Sequence, residues 1–184
     1  MISAAGFARR NKIPYLGLCY GMQLAVVAFA REILGWPKAN TTENSADTAH
    51  PVIHLMPAQE EIMVRRAYGG TMRLGAWQAI VKKGTIAWDA YEKFDQFLDK
   101  SKGLTSERHR HRYEFNDRYI KDFEKAGLNI SARSVIENLV EIIELPKTMH
   151  PFYLGVQGHP EYKSRPLSPH PFFREFIAAC LKQS

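Results

Sequence analysis

The passage from Ile13 to Ala30 constrains the fold of this chain more than any other segment. It begins Ile-Pro-Tyr-Leu-Gly-Leu, which indicates an apolar strand, and continues after Cys19 with an apolar helical pattern. Gly17 and Gly21 stand on either side of the cysteine and allow a tight turn, so the passage is predicted to form a nucleophile elbow. A thiol on such a turn lies at the positive end of the helix and can be held as a thiolate below the usual pKa of about 8.5. The elbow taken alone is also compatible with a buried core thiol.

A second motif, near the other end of the chain, favours the first interpretation. The segment Tyr153-Leu-Gly-Val-Gln-Gly-His159-Pro-Glu161 indicates a short apolar strand followed by a histidine and, two positions on, a glutamate. In an extended segment that spacing puts both side chains on one face. A cysteine nucleophile requires a base to take its proton and a third group to fix the tautomer of that base. Cys19, His159 and Glu161 are therefore predicted to form a catalytic triad.

The two motifs together resemble a known family. Segments 17–23 (GLCYGMQ) and 157–161 (QGHPE) are similar to the class I (triad) glutamine amidotransferases, which hydrolyse the side-chain amide of glutamine and pass on the ammonia. Further segments, in the family's order and spread over nearly the whole chain, resemble the amidotransferase domain of the CTP synthase family. They are 34–43 (LGWPKANTTE), 52–57 (VIHLMP), 69–75 (GGTMRLG), 107–114 (ERHRHRYE) and 139–144 (LVEIIE). Segments 69–75 and 107–114 are not general to amidotransferases and make the resemblance specific.

The resemblance implies covalent chemistry at Cys19. The thiolate would attack the glutamine amide, His159 would protonate the departing ammonia, and water activated by the same histidine would release glutamate. The oxyanion that forms needs donors already in place, and the backbone N–H of Tyr20 at the head of the helix would be one.

Substrate recognition is implied at three further positions. The matching family positions put Glu43 near the ammonium of the substrate glutamine and Arg112 near its carboxylate, with Gln23 also in contact. The planar fork of an arginine suits a carboxylate. A capping acid and a surface arginine are the alternative interpretations of Glu43 and Arg112.

Segment 69–75 resembles the mobile lid that couples GTP, an allosteric activator in this family, to glutamine hydrolysis. Gly69 and Gly70 would give the lid its mobility, and Arg73 would be the regulatory charge, acting on a nucleotide or on the reacting site. A glycine-rich hairpin turn is the alternative.

The resemblance also indicates family segments that have no counterpart in this sequence. They are a glycine-rich loop with a second oxyanion donor ahead of the helix predicted at Ile2, two or more upstream sheet strands, and the synthetase domain that binds UTP and, with Mg²⁺, ATP. Residues 1–184 are thus expected to be one glutaminase domain, without a cofactor of its own, that acts with a synthetase domain in a homo-oligomer, a tetramer in the full-length family. By itself the chain is expected to be a poor glutaminase and either poorly soluble or self-associated. The alternatives are a non-catalytic remnant or binding module, and another triad hydrolase such as a γ-glutamyl hydrolase, which segments 69–75 and 107–114 disfavour.

Composition is consistent with a single domain and restricts the partners. The chain has 184 residues, of which 45% are hydrophobic, and this is enough for one sizeable core. Its two cysteines are far apart and no secretory or transmembrane stretch is present, which predicts a cytoplasmic protein without a membrane partner. Cys180, on an amphipathic helical pattern, is predicted to be a packing residue.

A net charge of +6 raises the possibility of nucleic-acid binding. The only dense basic run is 108–112 (RHRHR), and in a strand its arginines would lie on one face with His109 and His111 on the other. No aromatic residue interleaves with the arginines, so no nucleic-acid partner is expected. No metal is expected either, because no third ligand stands at a suitable spacing from the two histidines.

The order of the elements predicts an α/β protein with the class I glutamine amidotransferase fold, a mostly parallel central sheet flanked by helices. Helices are predicted over residues 2–10, 22–34, 118–126 and 171–181, with a further helical elaboration over 87–98. Strands are predicted over residues 15–18, 52–56, 72–81, 107–115, 129–134, 139–145 and 153–157.

Overall fold

The structure, a computed structural model, describes residues 1–55 and 72–183. The helices of these ranges are α1 (Ile2–Arg10), α2 (Tyr20–Glu32), α3 (Ile86–Lys93), α4 (Ile120–Lys125) and α5 (Pro171–Leu181). The strands are β1 (Tyr15–Leu18), β2 (Ala39–Thr41), β3 (His50–Leu55), β4 (Arg73–Val81), β5 (Leu104–His111), β6 (Tyr113–Phe115), β7 (Asn129–Ser134), β8 (Val140–Glu144) and β9 (Tyr153–Val156). The predicted elements are present, and their ends lie within three residues of the predicted ones, except that the helix predicted to reach residue 98 ends at Lys93. The predicted strand 107–115 is two strands that part at Arg112, and β2 had no clear sequence signal.

A six-stranded sheet in the order β1-β9-β8-β7-β4-β5 forms the centre of the molecule. Only β1 and β9 pair in parallel, and the other neighbours are antiparallel. The expectation of a mostly parallel sheet is therefore wrong for the described strands, although the α/β class is correct. Parallel neighbours need a crossover of about a dozen residues or more, and the five residues 135–139 between β7 and β8 allow only a reversal.

Two hydrophobic clusters cover the two faces of this sheet. Ile143 packs in the cluster that contains the buried side of α2, whereas its neighbour Ile142 packs in the cluster beneath α3 and α5. Consecutive strand residues point to opposite faces, so the sheet lies between two helical layers. Side chains along β5 also alternate between the two faces. His109 and His111 are buried, whereas Arg108 and Arg110 are exposed, as the sequence predicted.

The predicted elaboration at 87–98 is the short helix α3, and its role is packing. Thr85 caps it by accepting a hydrogen bond from the backbone N–H of Trp88, and Trp88 and Tyr91 are buried. The helix ends sooner than the spacing suggested because Asp95 takes a left-handed φ of 51°. Phe97 then folds back so that its ring centroid lies 4.7 Å from that of Trp88.

A second, three-stranded sheet in the order β2-β3-β6 lies beside the first. It carries two loops toward the end of β1. The loop after β2 contains Glu43, whose backbone N–H donates to the Thr41 hydroxyl at 3.2 Å. The turn between β5 and β6 contains Arg112.

Candidate active site

Cys19 forms the predicted elbow between β1 and α2. It is the N-cap residue of α2, with φ 47° and ψ −104°, a left-handed conformation that is uncommon for a residue with a side chain. A Cβ at Gly17 would lie 2.8 Å from the carbonyl carbon of Gly21, so the turn closes only over a glycine. A Cβ at Gly21 would meet nothing nearer than the Tyr15 hydroxyl at 3.8 Å. Of the two flanking glycines, only Gly17 is therefore required by close packing.

The parallel pair β1 and β9 brings the two sequence motifs to one edge of the sheet. Leu18 pairs with Val156, and the Cys19 backbone N–H donates to the Val156 carbonyl at 2.7 Å. The residues that follow both strands therefore leave the sheet side by side. The backbone N–H of His159 donates to the Arg108 carbonyl at 2.7 Å, which fixes the histidine against β5.

His159 and Glu161 form the predicted pair, but not by strand geometry. Residues Pro160–Tyr162 form a 3-10 turn, and within it His159 Nδ1 lies 2.6 Å from Glu161 Oε1. The carboxylate accepts a hydrogen bond from Nδ1–H, which leaves Nε2 as the nitrogen that can exchange a proton. Nε2 is buried and has no hydrogen-bond partner among the described residues. The ring of Tyr162 stacks on the imidazole with centroids 5.2 Å apart.

Burial of the Cys19 side chain has the largest effect on the pKa of its thiol. It raises the pKa of Cys19 to about 11, and the charges of Glu161 and Glu43 act in the same direction. The backbone N–H of Tyr20 and the side-chain amide of Gln157 lower this pKa, though by less than burial raises it. The lowered pKa expected for a thiol at the helix end is therefore not found, because burial outweighs the donors. The raised pKa favours the protonated thiol, so a base is needed to remove its proton.

A cavity of about 340 Å³ opens in front of the thiol. Its lining includes all the residues predicted to read the substrate or to line its reacting end: Cys19, Tyr20, Gln23, Glu43 and Arg112. The Arg112 side chain lines the cavity, and its Nε is buried without a hydrogen-bond partner within the described ranges. At the rim, Asn44 Nδ2 donates to the Tyr20 hydroxyl at 2.7 Å and ties the helix end to the loop that carries Glu43.

The side chain of Gln23 lines the cavity, but its amide nitrogen is already hydrogen-bonded within the protein. Its Nε2 donates to the Tyr113 carbonyl at 2.8 Å and to Gln157 Oε1 at 3.2 Å. Both amide protons are thus used inside the protein. Only Oε1 of Gln23 remains for a substrate.

Arg73 lies on β4 in a buried ion pair rather than at the surface. Its Nη2 is 2.6 Å from Glu141 Oε1, and both side chains are almost fully buried. The other carboxylate oxygen is 3.3 Å from His109 Nε2, and His109 Nδ1 is 3.2 Å from His111 Nε2. This chain of contacts connects Arg73 to the cavity, which His111 lines. Arg73 itself does not line the cavity, and Gly69 and Gly70 lie outside the described residues.

Sequence reasoning missed Gln157 as a site residue. Its side chain is fully buried, and its Nε2 lies 3.6 Å from Cys19 Sγ. The available signal was topological: Gln157 directly follows the apolar strand that precedes the histidine. Glu141 was missed as well, because nothing local distinguishes it from a surface glutamate of an alternating strand.

Residues 1–55 and 72–183 contain neither a candidate metal site nor a membrane-spanning helix. No three His, Cys, Asp or Glu side chains there are grouped so that they could hold a metal ion. None of the helices in those ranges is long and apolar enough to cross a membrane.

The geometry and the comparisons with known proteins define the class of this protein. Residues 1–179 match the family model for glutamine amidotransferase class-I, so the chain belongs to that family. The glutaminase domain of Trypanosoma brucei CTPS, solved with bound acivicin, superposes with a TM-score of 0.85 and 38% identity over 98% of this chain and 65% of that chain.

The relatives are CTP synthases. The chain is 50% identical to that of Aquifex aeolicus over 181 residues and 52% identical to that of Caldanaerobacter subterraneus subsp. tengcongensis over 180 residues. Each match takes in 98% of this chain but only 32% and 31% of the relative. The chain thus spans about a third of the length of the CTP synthases it matches.

Proposed function

We propose that the chain is the glutaminase part of a CTP synthase. It hydrolyses glutamine to glutamate and ammonia through a thioester at Cys19, and a synthetase domain uses the ammonia to convert UTP to CTP. The observation that carries this proposal is the composition of one cavity. Three distant segments bring a thiol, a carboxylate and an arginine side chain to its walls. Those groups match the amide, the ammonium and the carboxylate of glutamine.

The residues present can carry out each step. His159 Nε2 takes the thiol proton as Cys19 Sγ bonds to the amide carbon, and the oxyanion receives the backbone N–H of Tyr20. The C–N bond then breaks as the same histidine returns the proton to the leaving nitrogen, so that ammonia departs and a thioester remains. Water loses a proton to His159 and attacks the thioester, and glutamate leaves as Cys19 regains its proton. Glu161 holds the imidazole in the required tautomer throughout.

The remaining partners follow from the same proposal. ATP and Mg²⁺ would bind the synthetase domain, the assembly would be a cytoplasmic homo-oligomer, and GTP would activate glutamine hydrolysis. The proposed place for the GTP effect is the strand that begins at Arg73.

Labelling with acivicin, which occupies the trypanosome glutaminase domain, tests the nucleophile. The chain contains two free cysteines, Cys19 and Cys180, both partly exposed. Peptide mass spectrometry should find acivicin on Cys19 and not on Cys180, and a Cys180→Ser variant should label at the unchanged rate. Labelling of Cys180 instead, or of both equally in the folded protein, would contradict the proposal. A non-catalytic remnant would give no labelling.

The base is tested in the protein joined to its synthetase domain. His159→Ala should abolish glutamine-dependent CTP formation and leave ammonia-dependent formation intact, because free ammonia bypasses amide cleavage. If a folded variant lost both activities, His159 would serve the fold or a domain interface.

A further inference from the structure

The side chain of Gln157 contacts the reacting sulfur of Cys19, and the mechanism above gives it no task. It follows β9 directly, its side chain is fully buried, and its backbone N–H donates to the Glu141 carbonyl at 2.8 Å. Its amide lies between the thiol of Cys19 on one side and Gln23 on the other.

The orientation of this amide is fixed by its neighbours. The Tyr113 carbonyl can only accept, so the end of Gln23 that lies 2.8 Å away must be its NH₂ group. The second proton of that NH₂ group points at Gln157, which must therefore present its oxygen, at 3.2 Å. The NH₂ group of Gln157 is then left to face Cys19 Sγ, at 3.6 Å. Each amide in the series is fixed by the previous one, and the series begins at a backbone carbonyl.

The Tyr113 carbonyl, at which this series begins, is also held in place. The Tyr113 carbonyl accepts a second hydrogen bond, from His111 Nδ1 at 3.0 Å, so both of its lone pairs are used. Tyr113 begins β6 and directly follows Arg112, a residue that lines the cavity. This series of hydrogen bonds therefore runs from the first residue of β6 to the sulfur of Cys19.

We propose that Gln157, held by Gln23 and the Tyr113 carbonyl, is a catalytic hydrogen-bond donor that stabilises the sulfur of Cys19 as a thiolate. This inference rests on the proposed role of Cys19 as the nucleophile. An N–H aimed at sulfur favours the anion over the thiol, because the anion is the stronger acceptor. It compensates in part for the burial that opposes ionisation at this site. Gln23 is then a positioning residue whose contribution comes through Gln157.

The test follows the alkylation of Cys19 by iodoacetamide in a Cys180→Ser background, without substrate. Gln157→Met keeps the length of the side chain and removes the donor. We expect the alkylation rate at a fixed pH near 9 to fall about tenfold to a hundredfold, the range that a hydrogen bond to a charged group is worth. The kcat of glutamine hydrolysis should fall by a similar factor, with a smaller change in KM. Gln78→Met, on an exposed position of β4, is the matched control and should change neither rate.

Other outcomes would overturn the inference. A purely structural role predicts faster alkylation of Gln157→Met, because a loosened site exposes the thiol, and unchanged alkylation would show that the amide does not act on the sulfur. If Gln157→Met does not fold, Gln157→Asn replaces it, since its shorter amide cannot reach the sulfur, and the same slower alkylation is expected. Gln23→Met should reproduce the effect of Gln157→Met in weaker form, and a faster reaction there would contradict the fixed orientation. The proposed function is tested separately with a Cys19→Ala variant. If that variant still hydrolysed glutamine, Cys19 would not be the nucleophile, and this result would leave the hydrogen bond from Gln157 untouched.

Discussion

At the scale of single residues, the environment of Cys19 shows two effects in competition. The N-terminus of α2 and the donors around the sulfur favour a thiolate, whereas burial and two nearby carboxylates favour the thiol. Burial has the larger effect and raises the pKa of the thiol. In the proposed mechanism His159 would then have to remove the proton.

The pH dependence of Cys19 alkylation tests this balance. Because the thiol pKa is raised to about 11, the iodoacetamide rate in a Cys180→Ser variant should rise about tenfold per pH unit from pH 7 to 10, as the thiolate fraction does. An ordinary thiol levels off above its pKa of about 8.5. A plateau already reached below pH 8 would show instead that a resting thiolate exists in the free protein.

The residues that sequence predicted and those it missed differ in one physical respect. Cys19, His159 and Glu161 belong to short motifs whose local chemistry is distinctive. Gln157 and Glu141 acquire their roles from contacts across the sheet, which no local pattern encodes.

At the scale of elements, the elbow depends on a close approach between β1 and α2. The approach is closest at Gly17, where a methyl group would collide with the backbone of Gly21 and Met22. Gly21 faces open space by comparison. The β1 and α2 patterns were readable from sequence because an apolar strand and an apolar helix differ in period. The short strand β2 was not readable, since its three residues are held by pairing with β3.

Two alanine substitutions separate the glycines. Gly17→Ala should lower the melting temperature and abolish acivicin labelling of Cys19, because overpacking typically costs about 1–3 kcal/mol and here also moves the thiol. Gly21→Ala should keep the labelling and leave stability equal or slightly higher, since alanine is favoured over glycine in a helix by about 1 kcal/mol. Thermal unfolding and labelling rates check both, and equal effects at the two positions would contradict the packing argument.

The buried position of Arg73 restricts how it could carry out the regulatory role proposed for it. The guanidinium is paired with Glu141 and lies 4.4 Å from the Trp77 ring centroid, so direct contact with a nucleotide would require β4 to open. Of the two modes of action predicted for Arg73, action on the reacting site is favoured. Its route runs through Glu141, His109 and His111 to the cavity.

Arg73→Ala should therefore weaken the response of glutamine hydrolysis to GTP more than it lowers the basal rate, in the protein joined to its synthetase domain. The reason is that the substitution breaks the contacts between β4 and the cavity while the triad stays intact. Arg133→Ala, on a partly exposed position of β7, serves as the control. An unchanged GTP activation ratio in a folded Arg73→Ala variant would return segment 69–75 to the plain hairpin interpretation.

At the scale of the whole molecule, the fold buries several carboxyl groups on strands of both sheets. Glu107, Glu114, Glu141 and Glu144 are each nearly inaccessible, on β5, β6 and β8. The layered α/β arrangement followed from the order of the elements, but strand direction did not, because it depends on which strands become neighbours. The sequence likewise could not show that these glutamates are inside, since only the closing of the sheets desolvates them.

The buried carboxyl group of Glu114 makes the stability of the protein depend on pH. It lies on β6 with Oε2 buried and unpartnered among the described residues, and burial raises its pKa from 4.5 to about 8, against the lowering effect of Arg73. The folded protein therefore holds a proton that the unfolded chain has released across that interval, so this carboxyl makes the protein less stable as pH rises from about 4.5 to 8.

Glu114→Gln removes that titration while keeping the shape of the neutral acid. Urea unfolding of the variant and the parent should give similar free energies at pH 5. The variant should become the more stable of the two as pH rises to 8.5, by no more than roughly 5 kcal/mol at about 1.4 kcal/mol per pKa unit. Glu137→Gln, at an exposed position, should show no such trend. A difference between Glu114→Gln and the parent that stays constant from pH 5 to 8.5 would mean that Glu114 is already ionised in the fold, with its charge balanced by Arg73 rather than suppressed by burial.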